Sequence, residues 1–298
     1  MSKFIIIGPL TRDTISRDGL LYHTTGGAVF YQAAVLSKLE ADVTAIITLS
    51  KEDEELLNSF PDDVNIIPIY FNKTMEFENI YPNHDPNHRV QKADVPKNPV
   101  KPQNLPEDIE SYDAVLLCPL SPSDIPIETV KQIYSYNIPI YLGAQGYLRQ
   151  LEDHKIILKP WKDFKNFLRY IRMVFIDEVE AKVIIPKKSH GLNMIGNDLA
   201  HFGPEEVIIT RGDRGAVIYS SLSEHTYKIP AFTPKQIMDP TGLGDTYMAA
   251  YVIKRIESSD VETCGIFASM VSTMKLEKNG AFQGNKVMVN KRLQEQEL

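Results

Sequence analysis

A chain of 298 residues, 43% hydrophobic and 24% charged, with a formal net charge of −7, can bury a substantial core, and its composition excludes the disordered, collagen-like and membrane-embedded classes. The acidic balance argues against a nucleic-acid partner, whose phosphates need clustered Lys and Arg, so any anionic ligand has to meet a local positive site. The two cysteines, Cys118 and Cys264, lie in apolar surroundings without metal-ligand spacing and read as buried thiols of a reducing compartment. The opening MSKFIIIGPL has too short an apolar run for a signal peptide or membrane span, so a cytoplasmic protein with no membrane partner is expected.

In chain order, KFIIIG reads as a buried strand, because a short β-branched run stops at Gly8 and Pro9. GLLYHTTGG is more exposed in pattern. It leads into AVFYQAAVLSKLE, where Ala33, Ala34, Leu36 and Leu39 recur at helical spacing, and DVTAIITLS is a second buried strand. Val64 to Phe71 is strand-like again. From Asn72 to Pro106 the chain carries six prolines, at 82, 86, 96, 99, 102 and 106, a density that disfavours helix and central strand and predicts exposed ribbon and irregular connection. HDPNH within it sets His84 and His88 four apart, but Pro86 forbids the regular helix that would bring them onto one face, and an exposed turn is the better reading than a metal site. Alternation then resumes: DAVLLCPL as strand, IPIETVKQIYSY as helix, IPIYLGAQG as strand, MVFIDEVEAKVII as strand then helix, EEVIITRGDRGAVIYS as strand, tight turn and strand. Short apolar strands between amphipathic helices predict an α/β fold, a mostly parallel sheet covered on both faces.

The stretch MDPTGLGDTYMAAYVIKRI departs from this ordinary pattern. Gly242 and Gly244 let a ligand approach the main chain, and Met248, Ala249, Val252 and Ile256 fall on one face of a helix starting near Gly244. The free amides of a helix start form a site for a phosphate or a developing anion. Asp245 in the first turn has two readings: a cap for those amides, or a base that takes a proton from an attacking hydroxyl while the amides stabilise a transferring phosphoryl group. The same dipole would depress its basicity, which phosphoryl transfer tolerates because its loose transition state asks little of a base. GLGDTY half-matches the dinucleotide fingerprint, yet Tyr247 stands at the third glycine position, and no Walker loop occurs anywhere.

With these residues laid out, the chain resembles the ribokinase-like (PfkB) kinases of small molecules. DPTGLGD is similar to the family signature D-T-x-G-A-G-D, with Pro240 and Leu243 as departures, and TRGDRGA upstream is similar to its T-x-G-x-x-G nucleotide loop. The resemblance implies one three-layer α/β/α kinase domain over residues 1–298, with a small β-sheet lid drawn from about 13–25 and 64–95. It implies ATP and Mg²⁺ as cofactors and the hydroxyl of a sugar, nucleoside or cyclitol as acceptor. A non-catalytic binding protein on the same fold is the alternative. A homodimer through an exposed lid edge is compatible with it.

Carried over by position, the resemblance makes Asp245 the base and the amides of Gly242, Leu243 and Gly244 the anion hole, with Thr210, Arg211 and Gly212 bordering the nucleotide. Arg211 can equally be a solvated turn charge. DEVE resembles the family's N-x-x-E element, so Asp177 and Glu180 would hold a hydrated Mg²⁺, unless they are simply acids favoured in a first helical turn. Asp239 would lie near a monovalent cation, or fix its turn by bonding local amides. GPLTRDTI and TTGGAVFYQAA resemble the substrate motifs through Asp13, Gly26 and Gly27, with Tyr31 where asparagine is usual. RVQKA and LGAQGYLR are similar to segments of inositol and nucleoside kinases, which makes Arg89 and Gln145 acceptor contacts if they are not surface residues.

Overall fold

The first strand, β1 (Lys3–Pro9), divides its side chains between two cores: Phe4 and Ile6 join one buried cluster, Ile5 and Ile7 the other. Only a strand covered on both faces does this, because successive side chains point to opposite sides. The computed structural model describes residues 1–17, 20–81, 90–186 and 189–296. The strands that follow are β2 (Thr11–Arg17), β3 (Leu20–Gly26), β4 (Asp42–Ser50), β5 (Val64–Phe71), β6 (Met75–Tyr81), β7 (Val90–Asp94), β8 (Ala114–Leu117), β9 (Ile140–Gly143), β10 (Arg149–Glu152), β11 (Lys155–Leu158), β12 (Met173–Asp177), β13 (Glu206–Thr210), β14 (Ala216–Ser220) and β15 (His225–Ile229).

The large sheet has nine strands in the order β15-β14-β13-β12-β9-β8-β1-β4-β5. It is parallel from β5 to β13 and antiparallel over the last two pairings. One face is covered by α1 (Ala28–Lys38), α7 (Leu243–Glu257) and α8 (Val261–Leu276), the other by α2 (Ile127–Ser135), α4 (Phe164–Leu168), α5 (Glu178–Ile184) and α6 (Leu192–Ala200). The three-layer α/β/α architecture expected from the sequence is therefore present. Two further helices are the short α3 (Gln145–Leu148) and the C-terminal α9 (Lys286–Gln294). Among the described residues no helix is long and apolar enough to cross a membrane, and both cysteines are buried and free.

The second sheet has six strands, β10-β11-β7-β6-β2-β3, and forms the lid. Its composition differs from expectation in two ways. Val64–Phe71 belongs instead to the large sheet, where β5 pairs with β4 along its whole length. The hairpin β10–β11, a segment the sequence reading left unassigned, joins the lid through Lys155 opposite Lys92. Within the proline-rich stretch 72–106, expected as exposed ribbon and irregular connection, Met75–Tyr81 and Val90–Asp94 are strands of this sheet, and Val100 is buried in the second core. His84, His88 and Arg89 lie outside the described residues.

Candidate active site

The parallel strands all finish at one edge of the large sheet, where a cavity of about 690 Å³ opens. Strand order reverses at β1, with β4 and β5 on one side and β8, β9, β12 and β13 on the other. The loops leaving such a reversal diverge to opposite faces and leave a crevice at the carboxyl ends of the strands. Thr11 after β1, Leu120 after β8, Gly143 of β9, Asp177 of β12 and Thr210 of β13 line it, and lid residues Asp13, Phe77, Asn79 and Arg149 reach it from above.

The start of α7 projects into the middle of this cavity. Gly242 caps the helix in the left-handed conformation (φ 72°, ψ 15°), and no side chain caps it. The amides of Leu243, Gly244 and Asp245 donate to no protein acceptor among the described residues, as expected of a first turn without a cap. A Cβ built on Gly244 would meet nothing within 4 Å, so its backbone faces open cavity. The helix is buried nearly all round from Thr246 to Ile253, whereas Ile256, expected on the buried face, is exposed.

Asp245 is three residues past the cap, so the capping reading fails. Its carboxylate lines the cavity and takes no hydrogen bond among the described residues. Burial pushes its pKa up to about 6, opposed by the positive charges of Arg149 and Lys275. Desolvation thus outweighs the depressed basicity expected from the helix dipole. An acid so poised is ionised at neutral pH and still accepts a proton readily.

Asp177 and Glu180 form a reciprocal capping box: Glu180 N–H donates to Asp177 Oδ1 (2.7 Å) and Asp177 N–H to Glu180 Oε2 (2.8 Å). Both line the cavity. Burial, then the charge of Asp177, holds the Glu180 carboxyl well above its ordinary range. The box uses one oxygen of each carboxylate, leaving hard oxygen donors in a negative field, which suits a cation that keeps most of its water. No group of three or more His, Cys, Asp or Glu able to hold a metal occurs among the described residues.

Of the expected nucleotide contacts, Thr210 and Gly212 line the cavity. Arg211 does not; its Nε lies 3.6 Å from Glu178 Oε2, a carboxylate that Arg214 also holds at 2.6 Å. Beyond Gly212 the cavity runs between Ala231, Phe232, Pro234 and Ile237 on one side and Ser272 and Leu276 of α8 on the other. Ser272 Oγ is buried there without a hydrogen-bond partner among the described residues.

On the opposite side, Asp13 is 6% exposed and accepts from the Thr11 hydroxyl (Thr11 Oγ1 to Asp13 Oδ1, 2.6 Å). Gly26 is absent from the cavity wall; it makes room for that carboxylate, since a Cβ there would fall 2.5 Å from Asp13 Cγ. Gly27, which starts α1 at φ 99°, lines the cavity, as does Gln145, whose side-chain oxygen accepts from Arg149 at 2.8 Å.

For Asp239 the turn-fixing alternative is the one the structure shows. Its carboxylate fixes the turn, accepting from Thr241 N–H (2.9 Å) and Gly280 N–H (3.1 Å), while the ammonium of Lys275 stands 3.2 Å from Oδ2 and donates to the Asp239 carbonyl at 2.8 Å. These oxygens, read from the resemblance as lying near a monovalent cation, meet a cation of the chain itself. Lys275, Arg149, Phe77 and Asn79 escaped the sequence reading. Arg149 stood in the quoted LGAQGYLR beside Gln145, but nothing in the linear sequence links Lys275 to Asp239.

Residues 143–287 match the pfkB family carbohydrate kinase profile. A ribokinase of Bacillus subtilis is 30% identical over 198 residues, 65% of this chain and 59% of that one, so the chain spans less than two thirds of that relative's length. Two solved structures share the fold. A pyrophosphate-dependent kinase in the ribokinase family, complexed with a pyrophosphate analogue and myo-inositol, superposes with a TM-score of 0.81 at 20% identity, covering 94% of this chain and 97% of that one. Ribokinase of Arabidopsis thaliana, complexed with ribose and ATP, gives 0.74 at 18% identity, covering 98% and 99%. The cavity at the strand ends under a β lid, with a glycine-flanked acid at a helix start, is the arrangement of a ribokinase-fold protein. The chain is similar to the pfkB family carbohydrate kinases over residues 143–287, just under half of its length.

Proposed function

We propose that the protein is an ATP-dependent kinase that transfers the γ-phosphoryl group to a hydroxyl of a sugar, nucleoside or cyclitol such as inositol. The observation that carries this reading is Asp245: an unbonded carboxylate beside three free helix amides, lining one cavity whose walls also hold Asp13, Gln145, Thr210 and Gly212. In the acceptor half, the Asp13 carboxylate would accept hydroxyl hydrogen bonds and Gln145 with Arg149 would position the ring. The acceptor oxygen forms its bond to the γ-phosphorus as the bond to the leaving diphosphate oxygen breaks. Asp245 takes the hydroxyl proton, and the amides of Gly242, Leu243 and Gly244 stabilise charge on the transferring group.

The donor half favours a nucleotide over pyrophosphate, because Ala231, Phe232, Pro234, Ile237 and Leu276 offer an apolar slot that a base would fill and pyrophosphate would leave empty. Asp177 and Glu180 would hold Mg²⁺ through water, where it neutralises phosphate charge. Lid closure would exclude water, which competes with the acceptor. The lid edge strand β3 exposes Leu21 and Tyr22, a surface suited to a second copy of the chain, which sedimentation would detect.

The test is a panel of sugars, nucleosides and inositols offered to the pure protein with Mg²⁺ and either ATP or pyrophosphate. Acceptor-dependent ADP formation is the expected result. Thermal stabilisation by a ligand with no donor consumed would instead identify a binding protein on this fold.

A further inference from the structure

Lys275 lies near the end of α8 with its side chain 0% exposed. An ammonium has three donors and no acceptor, and three oxygens meet this one: the Asp239 carbonyl (2.8 Å), the Thr241 carbonyl and Asp239 Oδ2 (3.2 Å). The ring of Tyr31 completes the shell, its centroid 5.4 Å from Nζ. Two carbonyls, a carboxylate and a π face are the surroundings that a loop would offer a small monovalent ion.

The site adjoins the turn read as phosphate-binding, since Thr241 immediately precedes Gly242. A trans peptide is planar with its C=O and N–H opposed, so drawing the Thr241 carbonyl towards Lys275 turns the Gly242 N–H the other way. The Asp239–Thr241 loop is further laced to α8 by Met238 N–H donating to the Leu276 carbonyl (2.9 Å). Two carboxylates feel the ammonium, Asp239 directly and Asp245 through space.

We propose that the Lys275 ammonium is a built-in cation: it holds the place beside Asp239 that a monovalent ion would take, orients the turn that aims the Gly242–Gly244 amides, and leaves the protein without a monovalent-cation requirement. The inference rests on reading that turn as the phosphate site. Lys275 is a positioning residue, since it touches the loop and not the reacting atoms.

The experiment compares wild type and Lys275→Ala in potassium, ammonium, sodium and choline chloride at one ionic strength, by thermal midpoint and by turnover. Wild type should give the same midpoint and turnover in all four. The variant should lose about tenfold or more in kcat with little change in acceptor KM. Its acid pH limb should move upwards as Asp245 loses a neighbouring positive charge, and potassium or ammonium should restore part of the turnover and raise the midpoint above that in choline. The midpoint needs no phosphoryl transfer, so the cation proposal can fail or succeed apart from the kinase reading. Wild type stabilised or activated severalfold by potassium over choline would overturn the proposal, as would a variant with unchanged kcat, pH limb and salt response. If Lys275→Ala does not fold, Lys275→Met keeps the apolar stem, and the wild-type salt comparison still decides.

Discussion

The ring of Tyr31 lies flush beneath Gly242: a Cβ built on that glycine would fall 2.4 Å from Tyr31 Cγ, at a φ of +72°. Two glycines that look alike in the sequence thus have opposite reasons for lacking a side chain. Gly242→Ala carries both a clash and left-handed strain and should cost about 1–3 kcal/mol of stability. Gly244→Ala has open space and replaces a helical glycine, so its stability should hold or rise by about 0.5–1 kcal/mol. Its methyl would occupy the anion site, however, and turnover should fall at least about tenfold. Denaturant midpoints alongside kcat separate the two, and a Gly244→Ala protein with full activity would remove those amides from the mechanism.

Asp245→Asn should lower kcat about a hundredfold or more while leaving nucleotide affinity largely unchanged. Its effect on stability has a definite sign. A carboxyl raised from 3.8 to about 6 by burial binds more protons folded than unfolded between those values. Its contribution to stability therefore falls as pH rises through that window, and above pH 6 its charge is a net cost. The amide variant should match or exceed wild type in thermal midpoint at pH 7.5 and lose that advantage near pH 4. A midpoint several degrees below wild type at pH 7.5 would assign the carboxylate a structural partner instead.

The layered sheet was legible because β1, β4, β8, β12 and β13 are short apolar runs buried on both faces, a pattern carried within each segment. The start of α7 was legible for the same reason: glycines, acid and helix lie within a few residues. What was hidden depends on distant pairing. Val64–Phe71 has the same pattern whether it joins the lid or β4, and only the register with Val43–Ser50 assigns it. Lys275 is 36 residues from Asp239 in sequence and sits on a helix whose buried residues are otherwise mostly apolar. Glu180 is a third case: it closes a capping box and also faces the cavity, so the structural reading leaves room for the cation role proposed above.

That double role can be divided by substitution. Asp177→Asn and Glu180→Gln keep the cap geometry, since Asn is as good a cap as Asp and Gln can replace Glu in the box. Each removes a charge from the cavity wall. Thermal midpoints should stay close to wild type, and the Mg²⁺ concentration for half-maximal rate should rise about tenfold or more. Unchanged Mg²⁺ dependence in both variants would leave the pair a purely structural cap.

Arg149 offers a test of how the lid governs the chemistry. It begins β10, donates to Gln145 at 2.8 Å, and its positive charge lowers the carboxyls of both Asp245 and Glu180 against the effect of burial. Arg149→Met removes that charge, so the Asp245 pKa should rise beyond about 6 and the acid limb of kcat/KM should move to higher pH. Activity at pH 6 relative to pH 8 should fall at least about threefold compared with wild type. Arg149→Lys keeps the charge but loses the planar fork that meets Gln145, so its acid limb should stay near that of wild type while acceptor KM rises about tenfold. The contrast separates electrostatic tuning of the base from positioning of the acceptor. A loss independent of pH in Arg149→Met would mean that its charge does not reach Asp245, and that the lid acts on the acceptor alone.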